Sequence, residues 1–346
     1  MIWLTWRQFR AQAWAALAVL AVIAIAFGVT GPHLAYLYDA SGIPACHAHG
    51  DCATLATNFV NELKGLDAVV WFVSIGVLYL APGLIGVFWG APLVTRELEA
   101  GTFRLAWNQS VTRTRWIAVK LALVGLAAMA AVGLFSLMIT WWASPIDRAT
   151  GLAASRNGAS SVNRLAPLLF GASGVAPIGY AAFAFALGVT AGIVIRRTVP
   201  AMAITLAVFA AVQIVMPNWV RPHLITPAHV TTALNTANIS QLSTDNNGQM
   251  TVTAAVHIPG AWVLSNQTIN AAGQAFTGPA TKACLSQTAS IRACNASLGR
   301  LHLRQLVTYQ PASRYWAFQW HETAIFLAVA LLLAGFCVWW IRRRLS

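Results

Sequence analysis

The sequence has few charged residues, and acidic residues are especially rare. Only 9% of its 346 residues are charged and nine are Asp or Glu, whereas 58% are hydrophobic. A soluble globular domain has about 25% charged residues. Composition therefore excludes an ordinary soluble domain and indicates a membrane protein. Lysine occurs only three times while arginine and alanine are abundant, which is typical of a GC-rich bacterial genome.

The sequence also lacks the motifs of nucleotide binding and catalysis. It has no Walker A sequence and no Gly-x-Gly-x-x-Gly after a strand. No nucleophile elbow is present, so we predict no catalytic residue, no metal and no cofactor in this chain. The net charge of +13 lies at the ends of apolar runs and not on one patch, which excludes nucleic-acid binding.

Charged residues are missing from the interior of six apolar runs, each long enough to cross a membrane, which takes about 20 apolar residues. This absence argues against an ion-coupled carrier or an intramembrane enzyme, which need titratable groups inside the spans. A Gly188/Gly192 pair allows close approach of another helix, or has no special role. The runs cover about 11–30, 69–92, 121–142, 172–195, 199–217 and 323–341.

Basic residues mark one side of these spans. The N-terminus, the loop 96–120, the Arg196-Arg197 turn and the C-terminal tail all carry arginines. By the positive-inside rule this side is cytoplasmic. We therefore predict a multi-pass plasma-membrane protein with both termini in the cytoplasm. Residues 1–12 form either an interfacial helix on the inner leaflet or a charged flank of the first span.

The fold class predicted is an all-α polytopic membrane protein with a smaller α+β extracellular domain. Residues 1–217 hold the N-terminal helix and five spans, 218–320 the extracellular domain, and 321–346 the sixth span and basic tail. Residues 249–258 and 261–264 are predicted strands with a turn between them. Residues 301–309 fit helix or strand equally. His321-Glu322 suits a polar collar or an acid/base pair, and the acidic outer residues suit a solvated surface.

Four cysteines fall in the predicted outer segments. Oxidising compartments preserve disulfides, so we predict Cys284–Cys294 as a disulfide. Cys46–Cys52 is predicted as a second disulfide; a metal loop with the intervening histidines and Asp51 is the alternative. The fifth cysteine, Cys337, lies within the last span and serves as a small apolar residue.

The polar segment 96–120 between spans 2 and 3 is the most informative stretch. Gly101 can end a helix in the left-handed conformation, and Ser110 or Thr112 can cap the next helix. Between them we predict a short helix that begins near Thr102. Phe103 and Trp107 lie four residues apart and therefore share one face of that helix.

This segment resembles the first cytoplasmic loop of the type-two ABC exporter permeases. The resemblance rests on Glu97, Glu99-Ala-Gly-Thr102, Leu105, Val111, Arg113 and Lys120. Ser110 stands where that family often has proline. In that family a short coupling helix sits in a groove of the ATPase subunit. The resemblance implies that the coupling residues here are Glu97, Glu99, Gly101, Thr102, Phe103, Arg104, Trp107 and Arg113.

The resemblance further implies a permease that exports an amphiphilic or hydrophobic substrate by alternating access, as in multidrug efflux. ATP and Mg would be bound by a separate ATPase subunit, and a second permease copy or a related permease would complete a dimer. Glu97 and Glu99 would pair with cations of the ATPase, or with Arg104 and Arg113. The alternative is a membrane-anchored sensing or binding protein that uses its outer domain for recognition.

Overall fold

The computed structural model describes most of the chain, in nine stretches. These are residues 2–46, 52–101, 112–152, 163–234, 239–244, 249–256, 258–279, 284 and 291–344.

Six helices within the described residues are long and apolar enough to cross a membrane. This confirms the six predicted spans and the mainly helical fold. Span 1 is α1 (Ile2–Ala40). Span 2 joins α3 (Gly65–Ile85), a π-helical segment (Gly86–Gly90) and α4 (Ala91–Glu99). The remaining spans are span 3, α5 (Arg113–Trp142); span 4, α8 (Ala176–Ile195); span 5, α9 (Thr198–Val215) with a π-helical segment (Met216–Val220) and α10 (Arg221–Leu224); and span 6, α12 (Tyr315–Arg344).

The first span is one unbroken helix. It runs from Ile2 to Ala40 and passes Pro32 without interruption. An interfacial helix that precedes the span would require a bend, and the helix has no break. The structure therefore fits the second alternative, in which the arginine-containing N-terminus is a flank of the first span.

Span 4 is the centre of the helical bundle. About two thirds (67%) of its most apolar 18-residue stretch is buried, against 11% of the corresponding stretch of span 1. It contacts spans 2, 3, 5 and 6. Its many alanines and glycines make this possible, because small side chains let neighbouring helices approach closely in a membrane.

Two small antiparallel sheets follow span 5, and we call residues 228–310 the β domain. One sheet has the order β1 (Ala228–Ala233), β6 (Arg304–Gln310), β4 (Trp262–Ile269). The other has the order β2 (Ile239–Thr244), β3 (Gln249–Ala254), β5 (Gly278–Pro279). The strands predicted near residues 249–258 and 261–264 are confirmed, and the open segment 301–309 is a strand. A helix, α11 (Ile291–Gly299), packs Leu298 against Met250 and Val252.

Short helices cover the end of the bundle that carries the β domain. They are α2 (Cys52–Glu62), α6 (Ser144–Leu152) and α7 (Pro167–Phe170). Sulfur–sulfur bonds join Cys46 to Cys52 and Cys284 to Cys294. Cys337 is buried in span 6 beside Thr190, with 3.2 Å between its Sγ and the Thr190 Oγ1.

Candidate functional site

Glu97, at the end of span 2, joins three spans. Its Oε1 accepts a hydrogen bond of 2.5 Å from the Lys120 Nζ on span 3 and one of 3.0 Å from the Gln8 Nε2 on span 1. The Lys120 side chain is only 2% exposed, and that of Glu97 is 17% exposed. An ammonium group buried this deeply needs a counter-charge. Glu97 provides it and thereby fixes the end of span 2 against spans 1 and 3.

Glu99, two residues later, binds the start of span 5. The Thr198 backbone N–H donates to its Oε1 at 2.8 Å, and the Thr198 hydroxyl donates to its Oε2 at 2.7 Å. Thr198 is the first residue of α9. The unpaired N–H groups and partial positive charge of a helix N-terminus attract a carboxylate. Glu99 therefore acts as a cap supplied from another helix, and it ties span 2 to span 5.

The backbone then turns out of the helix. Gly101 has φ 68°, the left-handed conformation that the sequence predicts. On the far side of the loop, the Thr112 Oγ1 accepts from the Arg115 N–H at 3.3 Å and caps α5, as predicted. Both stems of the loop are thus defined by the structure. The predicted short helix, with Thr102, Phe103, Arg104 and Trp107, lies outside the described residues.

Next to these ends of the loop, the backbone of span 2 packs directly against the backbone of span 4. A Cβ added to Gly90 would lie 2.6 Å from the Phe185 carbonyl oxygen, and one added to Gly192 would lie 2.7 Å from the Ala91 carbonyl oxygen. Real Cβ atoms essentially never come this close, so only glycine fits. The Gly188/Gly192 pair therefore has the close-packing role, since a Cβ added to Gly188 would lie even closer to the Gly86 carbonyl oxygen.

The same stretch of span 2 is π-helical. A π segment widens the backbone and frees a carbonyl from the regular ladder. Here the Gln12 Nε2 of span 1 donates to the Phe88 carbonyl oxygen at 3.1 Å. Phe9 lies one helical turn before Gln12, and its ring meets the Trp89 ring edge-on, with 4.8 Å between centroids. Span 1 thus supports the irregular part of span 2 directly above the loop.

Comparison with known proteins identifies this architecture. The family described as "ABC-2 membrane transporter related" matches residues 17–221, more than half of the chain. The chain belongs to the ABC-2 membrane transporter related family. No curated protein and no solved structure matches the chain.

Membership of this family makes the chain a transporter permease, as the loop resemblance implies. The matched residues run from within span 1 to near the end of span 5 and include the whole loop between spans 2 and 3. ABC-2 permeases are membrane subunits for transport and are generally not catalytic themselves; in general they work with an ABC ATPase. Membership of this family does not favour the alternative that the chain is a membrane-anchored sensing or binding protein.

The structure gives both glutamates of the permease partners within their own chain. Lys120 and Gln8 bind Glu97, and Thr198 binds Glu99. Pairing with cations of the ATPase stays a prediction, and Arg104 lies outside the described residues. Lys120 begins the third apolar run, and a lysine at such a position is the signal that could have identified the pair. Arg113 is the first residue of α5.

Asp67 and Glu322 are buried, contrary to the prediction of a solvated surface or collar, whereas Asp39 and Glu62 are exposed as predicted. Asp67 is 4% exposed, and its Oδ2 lies 2.7 Å from the His33 Nδ1. Glu322 is fully buried against Arg221. His321, beside it, is exposed and bonds only locally to the Ala317 carbonyl. The predicted His321-Glu322 pair is therefore not a unit.

Asp147, on α6, is the acidic group with the clearest electrostatic consequence. Its Oδ2 lies 3.0 Å from the Arg164 Nε, and its side chain is 17% exposed. Burial raises the pKa of this carboxyl from its ordinary 3.8 to about 6, and Arg164 opposes the rise. Desolvation outweighs the ion pair here, as is common for buried carboxyls.

Among the described residues, no group of three or more His, Cys, Asp or Glu side chains is arranged to hold a metal. The Cys46–Cys52 loop that carried the metal alternative is closed by a disulfide, which removes both thiolates as ligands. His47, His49 and Asp51 lie outside the described residues.

Proposed function

We propose that this permease exports an amphiphilic or hydrophobic substrate, driven by a separate ATPase that docks on the loop between spans 2 and 3. The observation that carries the proposal is the set of contacts that Glu97 and Glu99 make at the end of span 2. Through them the start of the loop is bonded to spans 1, 3 and 5. Force applied to the loop therefore reaches four spans at once, including span 2 itself.

The π segment of span 2 lets this force produce movement. A regular helix resists local rearrangement, whereas a π segment can shift its register at modest cost and is often found at functional sites. The segment Gly86–Gly90 lies just before α4, which leads into the loop. It also lies against span 4 at its closest approach. We infer that movement of the loop slides span 2 along span 4 at this segment.

The proposed orientation places the loop between spans 2 and 3, the Arg196-Arg197 turn and both termini in the cytoplasm. Arginines cluster at this end of the bundle, which supports the assignment by the positive-inside rule. The disulfide Cys46–Cys52 lies at the opposite end, and disulfides persist in oxidising compartments. The β domain then lies outside the cell.

The proposed substrate class is supported by the apolar residues that the spans present. Large apolar side chains are exposed on spans 2 and 5, among them Phe72, Leu80, Phe88, Ile204 and Ile214. If two permeases face each other, such surfaces line the path between them. A path of this kind suits a drug, a secondary metabolite, a lipid or a hydrophobic peptide. The β domain, attached to spans 5 and 6, is then placed to gate release at the outer side.

The experiment is reconstitution of the permease in inside-out vesicles with an ABC ATPase that co-purifies with it from membranes. Uptake of ethidium and of a fluorescent phospholipid is followed with ATP and with a non-hydrolysable analogue. ATP-dependent uptake of either probe, lost with the analogue, is expected. A matched variant, Thr198→Val, removes one bond to Glu99 and should lower uptake while the ATPase stays bound. Vesicles in which the permease binds no ATPase would contradict the proposal.

A further inference from the structure

Two short connectors join the β domain to the membrane spans. On the entering side, α10 (Arg221–Leu224) ends span 5 and leads to β1 at Ala228. On the leaving side, β6 ends at Gln310, and the chain then enters span 6 at Tyr315. Movement of the spans can reach the β domain through these connectors and through Asn163, which precedes span 4 and donates from its Nδ2 to the Ala261 carbonyl oxygen at 2.7 Å.

A buried ion pair links the entering connector to span 6. The Arg221 Nε donates to the Glu322 Oε2 at 2.8 Å, and its Nη2 donates to the Glu322 Oε1 at 3.0 Å. Arg221 is 1% exposed and Glu322 0% exposed. A guanidinium that binds both oxygens of a carboxylate fixes direction as well as distance. The pair joins residues 101 positions apart in sequence.

Spans 4, 5 and 6 converge on this pair. The Tyr180 hydroxyl, on span 4, donates to the Glu322 Oε1. The Arg221 Cζ lies 4.0 Å from the centroid of the Phe170 ring on α7, a cation–π contact. One helical turn before Glu322, the Gln319 Oε1 accepts from the Ala176 N–H at 2.7 Å and so caps span 4.

Further bonds hold the connectors together on the β-domain side of the pair. The Gln310 Nε2 donates to the Ile225 carbonyl at 2.6 Å, and the Arg314 Nη1 donates to the Thr226 carbonyl at 2.6 Å. The β1–β6 pairing then continues from Ala228 opposite Tyr309. The entering and leaving segments are thus bonded to each other from the buried pair to the sheet.

We propose that Arg221 and Glu322 are positioning residues that make the β domain a rigid extension of spans 5 and 6. A buried ion pair is weak evidence for stability, because apolar residues of similar volume often stabilise a fold equally well. What the pair supplies is a defined geometry, since both ends of the β domain must keep one spacing and orientation for its bonds to form. The β domain therefore moves with these spans and does not swing on a hinge.

This inference rests on the proposed function in one respect: it supplies the route by which span movement reaches the proposed outer gate. When spans 5 and 6 tilt, a rigid connection rotates the β domain by the same angle. A loose connection would let the spans move beneath a stationary domain. The pair thus decides whether the gate follows the spans.

The rigidity is measured on the permease alone, in nanodiscs, by double electron–electron resonance. Spin labels are placed at Thr231 on β1 and Leu331 on span 6, both exposed, in a Cys337→Ala background. The wild-type distance distribution should be narrow. Glu322→Gln, which keeps the side-chain shape, and the paired change Arg221→Met with Glu322→Met should each at least double its width. Glu97→Gln, which removes an ion pair at the opposite end, is the matched control and should leave the width unchanged.

The outcomes separate the inference from the proposed function. A narrow distribution in the double-methionine variant overturns the inference; if that variant does not fold, a narrow distribution in Glu322→Gln does so. Broadening in the Glu97→Gln control also overturns it, since the effect would then be general loosening. In vesicles with the ATPase, Glu322→Gln should keep ATP hydrolysis but lower transport per ATP at least threefold. If the wild-type complex transports neither probe, the proposed function fails while the distance result stands.

Discussion

Reversing the charge of Glu97 tests whether its ion pair with Lys120 holds the end of span 2 in place. In Glu97→Lys, a second ammonium would face the Lys120 Nζ, which now lies 2.5 Å from the Glu97 Oε1. Lys120 cannot turn away to water easily, because its side chain is 2% exposed and its Nζ lies 4.7 Å from the Trp116 ring centroid. The change therefore removes a counter-charge and adds a like charge at one buried site.

The magnitude follows from the geometry. At the observed separation and an effective dielectric constant of about 20, the attraction between unit charges is roughly 7 kcal/mol before desolvation is counted. Removal of one partner from a buried pair typically costs about 3–5 kcal/mol. We therefore expect Glu97→Lys to destabilise the permease by at least about 3 kcal/mol. Glu97→Gln keeps the shape and a hydrogen-bond acceptor, and it should cost less.

Thermal unfolding in detergent, followed by fluorescence-detected size exclusion, measures these effects. The expected order of midpoint temperature is wild type, Glu97→Gln, then Glu97→Lys. The exchange variant, Glu97→Lys with Lys120→Glu, restores opposite charges and should recover most of the loss. An unchanged midpoint in Glu97→Lys would refute the reasoning, as would an exchange variant no more stable than the single reversal.

Three further predictions concern packing, pH and the β domain. Gly90→Ala should lower stability and yield sharply, because the new methyl meets the Phe185 carbonyl, whereas Gly76→Ala, with nothing within 4 Å, should be neutral in the same unfolding assay. Because the pKa of Asp147 is raised to about 6 in the folded protein, its carboxyl stabilises the fold fully below pH 3.8. This stabilisation is lost as the pH rises through 6. The unfolding midpoint should thus fall from pH 5 to pH 7 by the equivalent of about 1.3 kcal/mol, since one pH unit below the folded pKa is worth about 1.4 kcal/mol, and Asp147→Asn should remove this pH dependence; an unchanged slope would exclude the group. Loss of the Cys284–Cys294 disulfide should destabilise the β domain by roughly 2–3 kcal/mol, measured by its proteolysis rate, while equal rates with and without reductant would contradict it.

The sequence predicted the features that depend on local pattern. Six long apolar runs predicted six spans because each run alone meets the length needed to cross a bilayer. Alternating residues predicted the strand Gln249–Ala254, which the structure contains. Gly101 predicted a left-handed helix end, because glycine adopts that conformation without steric cost.

The sequence did not predict the features that depend on distant partners. The sequence predicts Glu322 as part of a polar collar beside His321. In the structure Glu322 is buried in an ion pair with Arg221, 101 positions earlier, while His321 is exposed. Glu99 caps the helix that starts at Thr198, a partner 99 positions away that no local pattern in the sequence indicates. In each case a single polar residue had two physically reasonable environments, and only the packing of the helices selects between them.

The most direct test of the central proposal replaces the predicted anchors of the loop, Phe103 and Trp107, by alanine. These residues are distinct from the stems, so the spans should still insert. The control replaces Trp3 and Trp6, which are 68% and 47% exposed at the same end of the bundle. After co-purification, the amount of ATPase retained and the substrate-stimulated ATP hydrolysis are measured together. We predict that the loop variant loses at least tenfold in both while the control keeps both. Wild-type retention and coupling in the loop variant would contradict the claim that this loop transmits the work of the ATPase.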